Sequence, residues 1–165
     1  MSLAFAAATP PETPAIAALR NAVADDLTAR HGRGWWSGQC TGRGVAADMR
    51  QSEILVAREG ARIVATLRLS TRKPWAIDRA YFTPVPRPLY LTTMAVAPDR
   101  QRRGLGRACL AHAVTRARSW PAQSLCLDAF DHPAGAGGFY RACGFREQGR
   151  GTYRGVPLIY FEMLV

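Results

Sequence analysis

Residues 94–106 read MAVAPDRQRRGLG, and the fold of this chain is decided there. Met94, Ala95 and Val96 close an apolar run that begins at Leu89, LYLTTMAV, and Ala97-Pro98-Asp99 breaks it, so a strand ends at this point. Gly104 and Gly106 then let the main chain turn tightly and approach a ligand with no Cβ in the way. From Arg107 to Arg118, Leu110, Ala113, Val114 and Ala117 share one helical face, and the helix stops before Trp120-Pro121. A strand, a two-glycine turn and a helix start together make an anion cradle, because the first helical turn carries unpaired N–H groups at the positive end of the dipole. Arg102, Arg103 and Arg107 add the charge that a diphosphate needs. Two other phosphate loops are set aside. No GxxxxGK[ST] lysine follows the glycines, and the third glycine of GxGxxG is replaced by Cys109.

Outward from this loop the chain alternates helices and strands. Pro14 to Arg30 places Ile16, Leu19, Val23 and Leu27 at helical intervals, with Thr13 as N-cap. His31 to Gly44 is glycine-rich with adjacent Trp35 and Trp36 and reads as a loop. Glu53–Glu59 and Arg62–Ser70, joined across Glu59-Gly60, read as a β-hairpin. Thr71 to Pro88, with prolines at 84, 86 and 88, reads as an irregular connection with at most a short helix around Trp75 to Tyr81. Leu125–Phe130 is a further strand, Phe139, Tyr140 and Cys143 sit on a short helix capped by Gly144, and Leu158–Leu164 is a closing strand. The fold class expected is therefore mixed α/β, with a partly antiparallel sheet. Residues 1–13 read as a flexible N-terminal arm and 14–165 as a single domain, the natural outcome at 165 residues.

Composition narrows the partners. The formal charge of +10 is almost wholly arginine, since Lys73 is the single lysine, and it implies an anionic partner. No run reaches the ~20 apolar residues of a membrane span, and the N-terminus lacks the basic region of a secretory signal. Cys40, Cys109, Cys126 and Cys143 show no CxxC spacing and read as reduced, structural thiols of a cytoplasmic protein, with no metal site.

The run Met94-Ala95-Val96-x-Pro98-x-x-Gln101-Arg102-Arg103-Gly104-Leu105-Gly106, with downstream Gly138-Phe139-Tyr140-Arg141-Ala142-Cys143-Gly144-Phe145, resembles the GNAT superfamily of acyl-CoA N-acyltransferases. It matches that family's Q/R-x-x-G-x-G/A loop and its FYxxxGF segment, and the element order from Ile54 onward agrees. The resemblance implies a mostly antiparallel sheet, splayed at a cofactor slot and flanked by helices, and acetyl-CoA as co-substrate. It implies that the main chain of Met94, Ala95 and Val96 pairs with the pantetheine arm and that the amides from Gln101 to Arg107 hold the pyrophosphate. It makes Tyr140 the general acid toward the leaving thiolate, and it points to Asp128, twelve residues earlier, as general base, with His132 and Glu53 as further candidates. Trp35, Trp36, Trp75 and Tyr81 become candidates for the acceptor pocket. One position departs from the family: seven residues before the tyrosine, where many relatives carry asparagine, stands Pro133, so Asp131 or His132 would have to supply that contact.

The activity implied is transfer of acetyl to a primary amine through a ternary complex, the acceptor being a small amine, an amino acid or a protein N-terminus. No acidic cluster stands out for a polycationic acceptor. A homodimer by exchange of late strands stays open. Nothing resembles a recognition helix, a zinc finger or an aromatic RNP strand, which argues against nucleic acid as the primary partner. A tRNA-directed acetyltransferase and a CoA-binding sensor without turnover are the alternatives.

Overall fold

Strands and helices alternate along the chain because the apolar period switches repeatedly between two and 3.6 residues. The computed structural model describes residues 2–165. Its elements are β1 (Leu3–Ala7), α1 (Thr13–His31), α2 (Gly42–Met49), β2 (Glu53–Glu59), β3 (Arg62–Ser70), β4 (Pro88–Val96), α3 (Leu105–Ser119), β5 (Ser124–Phe130), α4 (Gly137–Ala142), β6 (Arg146–Tyr153) and β7 (Val156–Leu164). The hydrogen-bonded strand order is β1-β2-β3-β4-β5-β7-β6. The sheet is mixed and mostly antiparallel: β1–β2, β2–β3, β5–β7 and β6–β7 pair antiparallel, β4–β5 parallel.

The chain forms two compact units. The first comprises residues up to Leu69 with Thr93–Ala113, the second Ser70–Thr92 with Val114–Val165. β4 and α3 each contribute to both.

In the first unit Ile16 and Ala17 of α1 and Val45 of α2 cover Ile54 and Val56 of β2, all five buried. Leu19 packs on Ala95 and Ala97 at the end of β4. Burying an isoleucine or valine side chain of this kind is worth about 1.5–3 kcal/mol. Three features differ from the sequence reading. Leu3–Ala7, within the expected flexible arm, is a strand in register with β2 from Leu3↔Glu59 to Ala7↔Leu55. The rest of the arm is held by a capping box, in which Thr9 N–H donates to Glu12 Oε2 at 2.7 Å, and by Arg58, which donates to Glu12 Oε1. Met1 lies outside the described residues. The third difference is α2, which starts inside the expected loop; Thr41 caps it by accepting from Gly44 N–H at 3.1 Å.

In the second unit Tyr90, Cys126, Leu158 and Tyr160 form a buried cluster with Ile77 and Phe82 from the proline-rich connection. β6 is the element that the sequence reading missed here. It pairs with β7 from Arg146↔Glu162 to Tyr153↔Val156, across a turn in which Arg154 and Gly155 take φ of 50° and 81°. The β4–β5 ladder lasts only from Pro88↔Ser124 to Tyr90↔Cys126, as the splay expected of β4 requires.

No disulfide joins Cys40, Cys109, Cys126 and Cys143 among the described residues. Burial pushes the thiols of Cys109 and Cys126 up to about 11, so both are inert apolar fillers at neutral pH.

Candidate active site

The first group of site residues stands in the first unit, on the end of β4 and the turn into α3. Thr93, directly before Met94, has φ of 49°, a left-handed conformation that a β-branched residue adopts only under strain. The strand therefore kinks just where Met94–Val96 begins. Ala97 N–H donates to Val64 O at 2.8 Å and Gln101 Nε2 to Val96 O at 3.0 Å, which fixes the strand end and the loop base to each other.

The loop itself has the backbone signature of an anion nest. Arg102 has φ of 59° and Gly104 φ of 81°, with Arg103 between them outside the left-handed region. Such alternation turns successive amides to one side. α3 follows at once, its first bond running from Ala108 N–H to Gly104 O at 3.0 Å, which leaves the earlier amides of the first turn without helical partners. A Cβ built on Gly104 meets nothing within 4 Å, so the ground beside the nest is open. Arg102, Arg103 and Arg107 are exposed, and among the described residues neither Arg102 nor Arg103 engages a carboxylate. Arg100, by contrast, is committed to Glu59 and Asp99 at 2.9 and 2.7 Å. The backbone geometry, the open face and the uncommitted guanidinium groups fit a diphosphate.

The second group stands in the second unit. Asp128 lies on β5 opposite Tyr160 of β7. No arginine or lysine reaches its carboxylate among the described residues, and the hydrogen bond that it accepts comes from its own main-chain amide. Burial holds its pKa above the ordinary aspartate range. A partly buried carboxyl that meets no cation among the described residues is able to take up a proton. The sequence reading did not single out Tyr160, whose hydroxyl donates to Ala76 O at 2.9 Å and whose pKa is raised by burial and then by the Asp128 charge.

Tyr140 is 7% exposed on α4. Its ring meets Phe139, Phe145 and Phe161 at centroid distances of 5.3, 5.6 and 5.9 Å. The side chain of α4 nearest β7 is absent: a Cβ on Gly137 would stand 3.4 Å from Ile159 Cδ1, so glycine lets the helix sit close. Gly144, with φ of 92°, ends the helix while Phe145 N–H donates back to Tyr140 O at 3.1 Å. Burial, then the Asp128 charge, raise the phenol well above its ordinary value, so Tyr140 stays protonated.

The remaining candidates divide. His132 Nδ1 accepts from Ala134 N–H at 3.0 Å, and Asp131 takes Arg150 Nη1 at 3.1 Å, so both side chains that could replace the missing asparagine at Pro133 already have work in the loop. Glu53 opens β2, opposite Leu69. Trp36 is 8% exposed and its indole N–H donates to Gly32 O at 2.9 Å, which makes it the floor of its own loop; Trp35 packs edge-on against it, 48% exposed. Trp75, 88% exposed, touches little. Tyr81 is the one that the fold brings to the Asp128 strand pair: its ring lies 4.7 Å from that of Tyr160, over Gly149, whose Cβ would stand 2.5 Å from Tyr81 Cδ1.

Comparison with known proteins gives the family and the fold. The family model described as acetyltransferase (GNAT) family matches residues 17–145. No curated protein matches the sequence. Among solved structures, an N-acetyltransferase from Staphylococcus aureus Mu50 superposes with a TM-score of 0.73 at 16% identity, covering 99% of each chain. A Salmonella typhimurium protein described as an acetyltransferase, solved with its cofactor acetyl-CoA, gives 0.71 at 16% identity over 99% of this chain and 94% of that one. The ribosomal-protein-alanine N-acetyltransferase of Brucella melitensis gives 0.72 at 20% identity over 98% and 99%. At these identities the structures speak for the fold.

Proposed function

Because the chain belongs to the GNAT acetyltransferase family, its model matching residues 17–145, we propose that it moves an acetyl group from acetyl-CoA directly to a primary amine. The observation that carries the reading is the loop: left-handed Arg102 and Gly104 at the head of α3, with Arg102 and Arg103 engaging no carboxylate among the described residues, offer a diphosphate cradle. Acetyl-CoA supplies an activated thioester, and the residues of this chain bind it and manage protons. Main-chain groups of Met94, Ala95 and Val96 hold the pantetheine arm. Amides from Gln101 to Arg107, with Arg102, Arg103 and Arg107, hold the diphosphate.

Asp128 takes a proton from the acceptor ammonium, freeing the nitrogen lone pair to form the new C–N bond as the C–S bond breaks. Tyr140 donates its phenolic proton to the departing sulfur and is reprotonated, through solvent, by the second proton that the nitrogen sheds as the amide forms. Burial, which raises the phenol, keeps Tyr140 in the protonated form that a general acid needs. Tyr81, resting on Tyr160 beside Asp128, lines the acceptor side, and Trp35 and Trp36 brace the loop above α1.

The test is acetyl-CoA-dependent thiol release in the presence of mixed primary amines. Release that requires both amine and an intact Tyr140 supports transfer; release that persists unchanged without amine, or no release at saturating acetyl-CoA, contradicts it.

A further inference from the structure

The connection between β3 and β4 packs on the sheet of the second unit and leaves a cavity of about 250 Å³ against it. Its walls include Arg79, Phe82, Pro84, Pro88, Tyr90 and Cys126, all within that unit. Tyr90 and Cys126 are the last rung of the β4–β5 ladder, so the sheet supplies a fixed floor. The facing wall is fixed as well. Asp78 Oδ1 accepts from Ala80 N–H at 2.9 Å and holds the short turn that carries Arg79. Thr83 donates through its N–H and Oγ1 to Glu162 at 3.0 and 2.7 Å, which ties the connection to β7.

Two donors in this cavity have nothing to donate to. Among the described residues the exposed Arg79 meets no carboxylate, and the Tyr90 hydroxyl makes no hydrogen bond although the residue is only 2% exposed. Burial raises the Tyr90 phenol and the Arg79 charge acts against that rise, so the guanidinium lies within electrostatic reach of the hydroxyl. A negative charge stands on the far side. Glu162 is buried and meets no cation among the described residues, and its charge adds to the burial that raises the Cys126 thiol.

Charge and size define the occupant. One guanidinium balances one negative charge, and Glu162 behind Thr83 opposes a second, so the cavity favours a monoanion over a phosphate dianion. A carboxylate offers two oxygens to Arg79 and can accept from the phenol at the same time. Phe82, Pro84 and Pro88 present apolar surface to the rest of such a molecule. That remainder is short, because the volume falls under the ~300–1,000 Å³ of sites for drug-sized ligands. We propose that this cavity is a binding site for a small monocarboxylate, a short-chain or single-ring carboxylic acid, with Arg79 and Tyr90 as its recognition pair. Binding here calls for no acetyl-CoA, so its failure and that of acetyl transfer are separate results.

The test is thermal denaturation and calorimetric titration of the intact protein without acetyl-CoA. Isobutyrate and benzoate are the probes, isobutyramide and benzamide their uncharged matches, with phosphate and chloride at equal ionic strength. The melting temperature is expected to rise saturably with either acid and to stay unchanged with the amides, phosphate and chloride. Arg79→Met is expected to weaken carboxylate binding about 10- to 100-fold, and Tyr90→Phe about 2- to 10-fold. Both variants should keep the melting temperature of the unliganded wild type, since one residue is exposed and the other loses only a hydroxyl without a partner. Absence of a saturable shift with both acids, or an amide as effective as its acid, would overturn the site. So would phosphate binding as tight as that of the acids, or unchanged carboxylate affinity in Arg79→Met.

Discussion

Asp128, on β5, meets no cation among the described residues, as the general-base role proposed for it requires. Asp128→Asn is expected to lower kcat by about 100- to 10,000-fold while leaving the KM for acetyl-CoA unchanged, as steady-state kinetics will show. In the wild type, activity falls as pH drops through a carboxyl pKa held above 3.8 by burial, and the variant lacks that acidic limb. Stability runs the other way. A carboxyl whose folded pKa is raised weakens the fold wherever it is ionised, and the penalty disappears as pH falls through the raised value toward the unfolded one. Asp128→Asn therefore melts higher than the wild type at neutral pH, and the two converge in acid. Tyr140 is a different case, since its ring is packed by three aromatic neighbours and only the hydroxyl is chemical. Tyr140→Phe should keep the melting temperature and lose about 10- to 1,000-fold in kcat; loss of stability with kcat retained would make the residue a packing group. The placement of Tyr140 on a short helix ended by Gly144 was legible in the sequence through FYRACGF. The unpaired state of Asp128 was not, because the absence of a cation is a property of three-dimensional neighbours.

At the scale of elements, the loop into α3 depends on backbone handedness. Gly104 has open space beside it, so a larger residue there meets no atom; it meets a left-handed φ of 81° instead. Gly104→Val should fold, at a local cost of about 1–3 kcal/mol, with the nest distorted and acetyl-CoA binding weakened. β6 makes the opposite use of glycine. At Gly149 the Tyr81 ring occupies the place of a side chain, 2.5 Å from where Cβ would be, so Gly149→Ala should displace Tyr81 and lower the melting temperature markedly, read by thermal denaturation. The same glycines explain what the sequence concealed. Gly149 and Gly151 interrupt the alternation of β6, which also pairs on one side only, and Gly42 and Gly44 give α2 the look of a loop. α1, β2, β3, α3 and β7 were legible because each buries a regular apolar face. β1 hid behind its alanines, which carry little pattern, and is identified only by its register on β2.

For the whole molecule, the charge of +10 is distributed unevenly in function. Many arginines answer a carboxylate, as Arg30, Arg58, Arg62 and Arg141 do, and they serve the fold. Arg102 and Arg103 stand apart at the loop, engaging no carboxylate among the described residues, and in the function proposed above they supply the electrostatic part of acetyl-CoA binding. Affinity should therefore fall as salt rises toward about 1 M, where the screening length shrinks to ~3 Å. The reading as a whole stands on the diphosphate cradle, and calorimetric titration of acetyl-CoA into the wild type and into Gly104→Val tests it most directly. The account predicts saturable one-site binding to the wild type that is lost or strongly weakened in the variant, with both proteins folded. Absence of heat from the wild type at millimolar acetyl-CoA, or equal affinity in the two proteins, would contradict it.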